Sequence, residues 1–225
     1  MHEKTIPNPT LNNKKLMKIF LNVGCGNDSQ SDVIGFDNDN WKEIRFDIDE
    51  RVNPDIVGTM TDMKSVVTGS VDAVYSSHNI EHIFPHEVPI ALSEFHRVLK
   101  EDGIVVITCP DLQSVGEALS QDKLFETLYE GVKINAAGEV VNVPVTAFDI
   151  LYGHRETTLD GDIYAIHRGG FTYSTLEKAF KEAGFKARFG GGSGYDLYLV
   201  AFKQKKSEEE IIKIASPFLN PFFLS

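Results

Sequence analysis

A few residues in this chain have types and spacings that chemistry requires. Gly24 and Gly26, separated by Cys25, close the apolar run Ile19-Phe20-Leu21-Asn22-Val23. Glycine has no Cβ, so such a pair takes positive φ and lets main-chain N–H groups approach a ligand. The third glycine of a dinucleotide fingerprint is missing, because Asn27-Asp28-Ser29-Gln30 follows, and this argues against a nicotinamide or flavin. Asp37 and Asp47 are each placed to end a second strand and accept hydrogen bonds from the hydroxyls of a ribose. A parallel crossover needs about a dozen residues or more, and Asp47, about 20 beyond the turn, leaves room for one. The plain alternative is a solvated Asp-rich loop. His78, His82, His154 and His167 titrate near neutral pH and suit proton transfer, or else are structural or surface histidines. Arg155 and Arg168 have the fork geometry that clamps an acidic group.

These residues must be held by a core, and 225 residues suffice for a sizeable one. The net charge of −11 disfavours a nucleic-acid backbone or an anionic membrane, which both need clustered Lys and Arg. A small molecule or a protein is the expected partner. Cys25 and Cys109 have no Cys-x-x-Cys spacing and read as reduced thiols of a cytoplasmic protein. No secretory signal is legible, and no apolar run reaches the length of a bilayer span.

The polar stretch 1–17 reads as a lead-in. Ile19 to Val23 is nearly all apolar, as a strand buried on both faces requires. Further strands are expected at Ile44 to Asp47, Asp55 to Gly58, Val71 to Tyr75 and Ile104 to Cys109. Val88, Ala91, Leu92, Phe95, Val98 and Leu99 fall at helical spacing, with Gly103 as the stop. Between Asn27 and Asp32 no helical stripe is visible. Strands alternating with helices imply a parallel sheet covered on both faces.

In this order, Leu21-Asn22-Val23-Gly24-Cys25-Gly26, Phe46-Asp47, Val71 to His82 and Phe95 to Gly103 resemble the class I S-adenosylmethionine-dependent methyltransferases, in a branch with a shortened first helix. The resemblance spans Ile19 to Pro110. It implies an α/β fold, a Rossmann-like doubly wound, mostly parallel sheet with a C-terminal antiparallel hairpin. It implies S-adenosylmethionine as cofactor, and methyl transfer to an O or N acceptor on a small molecule. A protein methyltransferase or a non-catalytic binding module is the alternative. By the same resemblance Asn22, Gly24, Cys25 and Gly26 line the methionine part, and Asp47 with Ile48 holds the ribose. Thr59 and Met60 meet the adenine, with Asp62 as a substitute for the missing acid. Ser76, Ser77 and His78 face the transferred methyl, and His78 and His167 are the preferred general bases.

Residues 111–170 form an insertion of the kind that builds a substrate lid, with one or two helices expected between Asp111 and Tyr129. Tyr152, His154, Arg155 and Arg168 are its expected substrate contacts, in segments resembling those of uncharacterised family members. Glu81 and His82 with His86 offer metal ligands, and some branches use Glu-x-x-Glu-His for a divalent ion. The first acid of that spacing is absent here, so no metal is expected. Ser174-Thr175-Leu176-Glu177 reads as a capping box. A hairpin is expected to turn about Gly190 to Gly194, ending the domain 18–203. The aromatics of the tail 204–225 are placed to clasp the body or, in a homodimer, a second copy.

Overall fold

The computed structural model describes residues 17–134, 140–159, 161 and 163–219. The lead-in up to residue 16, Asp162 of the insertion and the tail aromatics Phe222 and Phe223 lie outside the described residues. Seven strands form one sheet: β1 (Lys18–Val23), β2 (Trp41–Asp47), β3 (Ile56–Val57), β4 (Val71–Ser77), β5 (Leu99–Pro110), β8 (Ala187–Ser193) and β9 (Asp196–Phe202), in the order β3-β2-β1-β4-β5-β9-β8. The first five are parallel, and β9 runs antiparallel between β5 and β8. Strands β6 (Thr127–Ile134) and β7 (Val140–Thr146) make a separate antiparallel ribbon.

Successive side chains of a strand point to opposite faces, and here both faces are covered, which is why the central strands are apolar throughout. Leu21, Val74 and Val105 pack on one face with Phe95 of α1 (Val88–Val98) and with Leu176 and Phe180 of α5 (Tyr173–Glu182). Phe20, Ala73 and Val106 pack on the other with Phe36, Ala215 of α6 (Glu208–Ala215) and Phe218. The connection from β1 to β2 holds a single 3-10 turn, Gln30–Asp32, in place of a helix. Phe218 occupies that space, with its ring 4.7 Å from that of Phe36. Gly35 has φ +82°, and a Cβ there would lie 2.6 Å from the Pro217 carbonyl oxygen, so glycine admits the tail. The tail therefore clasps its own body as far as Leu219, which is itself buried.

Several local expectations need correction. Helix α1 ends at Val98, and Lys100 to Gly103 form a bulge within β5, since Leu99 pairs with Val71 and Ile104 with Ala73. The N-cap of α5 is Thr172, whose N–H donates to Thr175 Oγ1, rather than Ser174. Gly190 to Gly192 are strand residues paired with Leu199 to Leu197, and the turn falls at Gly194, φ +62°. The stretch Asp111 to Tyr129 holds one helix, α2 (Leu112–Ser120), within the one or two expected, and Thr127 onward pairs with β7. Helices α3 (Ala147–Tyr152) and α4 (Arg155–Leu159) complete the insertion. Among the described residues no helix is long and apolar enough to cross a membrane.

Candidate active site

Strands β1, β2 and β4 end side by side, and their last residues carry the site. Gly24 and Gly26 have φ of +71° and +51°. The Asn79 side chain fills the space a Cβ on Gly24 would need, and its Nδ2 donates to the Val23 carbonyl at 3.0 Å. Asp47 is buried, and its Oδ2 accepts from the Gly26 N–H and its Oδ1 from the Asp49 N–H, both at 2.9 Å. These two bonds fix the turn and leave further lone pairs of the carboxylate for a ligand. The Arg45 guanidinium ties the Gly26 carbonyl to those of Val52 and Asn53. A cavity of about 430 Å³ runs from this turn to the insertion. Gly24, Gly26, Asp47, Ile48, Thr59 and Met60 line one part, and His78, Asn79, His82, Tyr164 and Arg168 line the other.

The structure thus gathers six expected cofactor residues in one cavity and sets five aside. Asn22 is buried in the sheet and donates to Glu43 Oε1 at 2.7 Å. Cys25 is buried, and burial lifts its thiol to about 11 against the opposing pull of Arg45. Ser76 is fully buried, and Ser77 shares a 2.7 Å hydrogen bond with Thr108. Asp62 turns outward to Lys64, 2.8 Å away, so it is spent on a surface ion pair. Met60 is itself buried, and Asn79, to which the sequence assigned no role, lines the cavity where the two serines do not. Its position two residues beyond the end of β4 was the available signal.

On the insertion side Arg168 lines the cavity and donates to the His82 carbonyl at 3.2 Å. Arg155 does not: its Nε meets Asp149 Oδ1 at 2.7 Å and its Nη2 meets Oδ2 at 3.1 Å. Tyr152 is exposed and packs on Phe148, and neither ring nitrogen of His154 has a hydrogen-bond partner. His78 stands at the end of β4 with φ +45°, a strained conformation for a side chain of that kind. Its Nδ1 is 3.6 Å from Glu81 Oε1 and its Nε2 is 3.5 Å from Asp196 Oδ1. Desolvation in the cleft opposes its charge, but the two carboxylates outweigh that and raise its pKa. His167 does not line the cavity but packs against His82, which does, and burial lowers its pKa despite Glu81.

Residues 21–107, from β1 into β5, match the family model of a methyltransferase domain. Over that segment, less than half of the chain, the protein resembles a methyltransferase domain. Solved structures agree on the fold. An S-adenosylmethionine-dependent methyltransferase of Thermotoga maritima is 13% identical, with 83% of each chain covered and a TM-score of 0.52. A Pyrococcus horikoshii protein is 17% identical over 85% of this chain and 84% of its own, with a TM-score of 0.52. An S-adenosylmethionine-dependent methyltransferase of Methanosarcina mazei is 14% identical over 84% of this chain and 94% of its own, with a TM-score of 0.51. A search of curated proteins finds no match. The cofactor of such a methyltransferase is S-adenosylmethionine. The site fits it: the glycine turn presents bare backbone, no atom lies within 4 Å of a Cβ built on Gly26, and a buried acid stands at the end of β2.

Proposed function

We propose that the chain transfers a methyl group from S-adenosylmethionine to an oxygen or nitrogen of a small molecule. The observation that carries this reading is the single cavity that Gly24, Gly26 and Asp47 share with His78 and Arg168. Bound there, the cofactor supplies an electrophilic methyl on its sulfonium, so the protein's task is alignment and exclusion of water. In this reading Asp47 accepts hydrogen bonds from the ribose, the Gly24–Gly26 turn carries the methionine part, and Thr59 and Met60 border the adenine. Residues 111–170 act as the lid. His78, at the far end of the cavity, takes the acceptor's proton, and Asp196 and Glu81 stabilise the imidazolium that results. Arg168 holds an acidic group of the acceptor. The net charge of −11 supports a small acceptor over a nucleic acid.

Calorimetric titration with S-adenosylmethionine and S-adenosylhomocysteine tests the cofactor half. Wild-type protein is expected to bind both, and Asp47→Asn to bind both more weakly. No binding by the wild type overturns the reading. His78→Gln is expected to keep the affinity for S-adenosylhomocysteine while losing turnover in an acceptor screen; full turnover in that variant removes the base from His78.

A further inference from the structure

Glu81 is a buried acid with an unusual environment. Its side chain is 1% exposed, and neither carboxylate oxygen has a hydrogen-bond partner. His78 Nδ1 stands 3.6 Å away, beyond a normal hydrogen bond, and the same ring turns its Nε2 to Asp196. A buried carboxylate left in this state costs several kcal/mol unless a positive group compensates it.

Two imidazoles converge on that carboxylate. One ligand atom from each of Glu81, His82 and His167 lies within 4.8 Å of the others, and the two rings stand edge to face with centroids 4.8 Å apart. The rings are oriented from outside. His82 Nδ1 faces the Ile166 carbonyl at 3.2 Å, and His167 Nδ1 faces the Ile150 carbonyl at 2.8 Å. A carbonyl only accepts, so each Nδ1 carries the proton and each Nε2 keeps its lone pair. This backbone-anchored tautomer is the one that metal-binding histidines adopt. The main chain holds the same arrangement, since the N–H groups of Arg168 and Gly169 donate to the Glu81 carbonyl at 2.8 and 3.0 Å. Residues far apart in the chain are thus pinned with their donor atoms together.

We propose that Glu81, His82 and His167 form a binding site for one first-row divalent cation, of the zinc or iron type. Two imidazoles and one carboxylate are a set that such ions take while keeping positions open for an exogenous oxygen. Ligand atoms about 2.0 to 2.2 Å from a tetrahedral ion sit closer together than they do here, and side-chain rotation closes the gap. His86, the third ligand that the sequence offered, is exposed and stacks on Phe84 instead. Because His82 also lines the cavity, the open positions face the space assigned to the methyl acceptor. A cation there binds an acceptor oxygen and makes its proton easier to lose. The site stands on geometry alone; this role rests on the methyltransferase reading.

The test uses full-length protein dialysed against a chelator and then titrated calorimetrically with Zn²⁺, with Co²⁺ followed by visible absorption. One Zn²⁺ per chain is expected, together with Co²⁺ ligand-field bands and no thiolate charge-transfer band. His167→Gln and Glu81→Gln are each expected to weaken Zn²⁺ by about 100-fold or more, exceeding the usual loss from an outer partner alone. His86→Gln is expected to bind as wild type does. If the ligand variants do not fold, the wild-type Co²⁺ protein answers through proton NMR: two hyperfine-shifted imidazole N–H signals are expected, one from each anchored Nδ1. Absence of uptake by the wild type, wild-type affinity in His167→Gln, or fewer than two such signals overturns the site. Titration of the same sample with S-adenosylhomocysteine separates that failure from failure of the methyltransferase reading.

Discussion

Two connections in this chain depart from the plain alternation of strand and helix, in opposite directions. The link from β1 to β2 is short and holds a 3-10 turn where a helix would lie. The link from β5 to α5 is long and holds two helices beyond α2, together with a two-stranded ribbon. The first leaves an apolar sheet face that Phe218 and α6 return to cover, with Phe20, Phe36, Trp41 and Phe218 forming one aromatic group. The second has a small core of its own, Val115, Val145, Ala147 and Ile150, and spends its polar residues on internal order. Shortening thus moves the burden of packing to a remote segment. Lengthening adds side chains over the strand ends without disturbing the sheet.

The two regions are separable, and single substitutions should disturb one while sparing the other. Phe218→Ala should have the largest effect, a loss of about 3 kcal/mol in urea unfolding, because an almost buried ring leaves a cavity. S-adenosylhomocysteine affinity in the surviving folded protein should stay near wild type. Asp149→Ala should cost about 2 kcal/mol, since this buried carboxylate accepts from Thr146 and Arg155 at the start of α3.

The same carboxylate carries a pH signature. Burial opposes its charge, but the hydrogen bonds from Arg155 and Thr146 outweigh it and hold the pKa at about 2. Its folded pKa is depressed, so its stabilisation is present above the ordinary carboxylate range, near 4, and is lost as pH falls through about 2. Asp149→Asn should flatten the unfolding midpoint over that window relative to wild type, and an unchanged slope would show that the ion pair is not formed in solution.

Gly24→Ala should act on the cofactor turn instead, lowering S-adenosylhomocysteine affinity at least about tenfold by calorimetry, since the new Cβ meets Asn79 at positive φ. The smallest effect belongs to Asp62→Asn, which should leave that affinity unchanged because the side chain serves Lys64 on the surface. A clear loss there would return Asp62 to the adenine site.

What the sequence determined by itself is local. Apolar runs ending in Gly24-Cys25-Gly26, the distance to Asp47, the α1 periodicity and the missing first helix are written in neighbouring residues, because backbone conformation and strand burial are set by nearby side chains. Asn22, Cys25 and Ser76 are adjacent to the site in sequence yet buried and absent from the cavity lining, and Ser77 is held by Thr108. Only the tertiary structure decided what the insertion brings back. It delivers Arg168 to the cavity and sets His167 against Glu81, beside hydrogen bonds between segments more than eighty residues apart. Those contacts depend on the path of a long connection, and no local preference of the chain encodes that path.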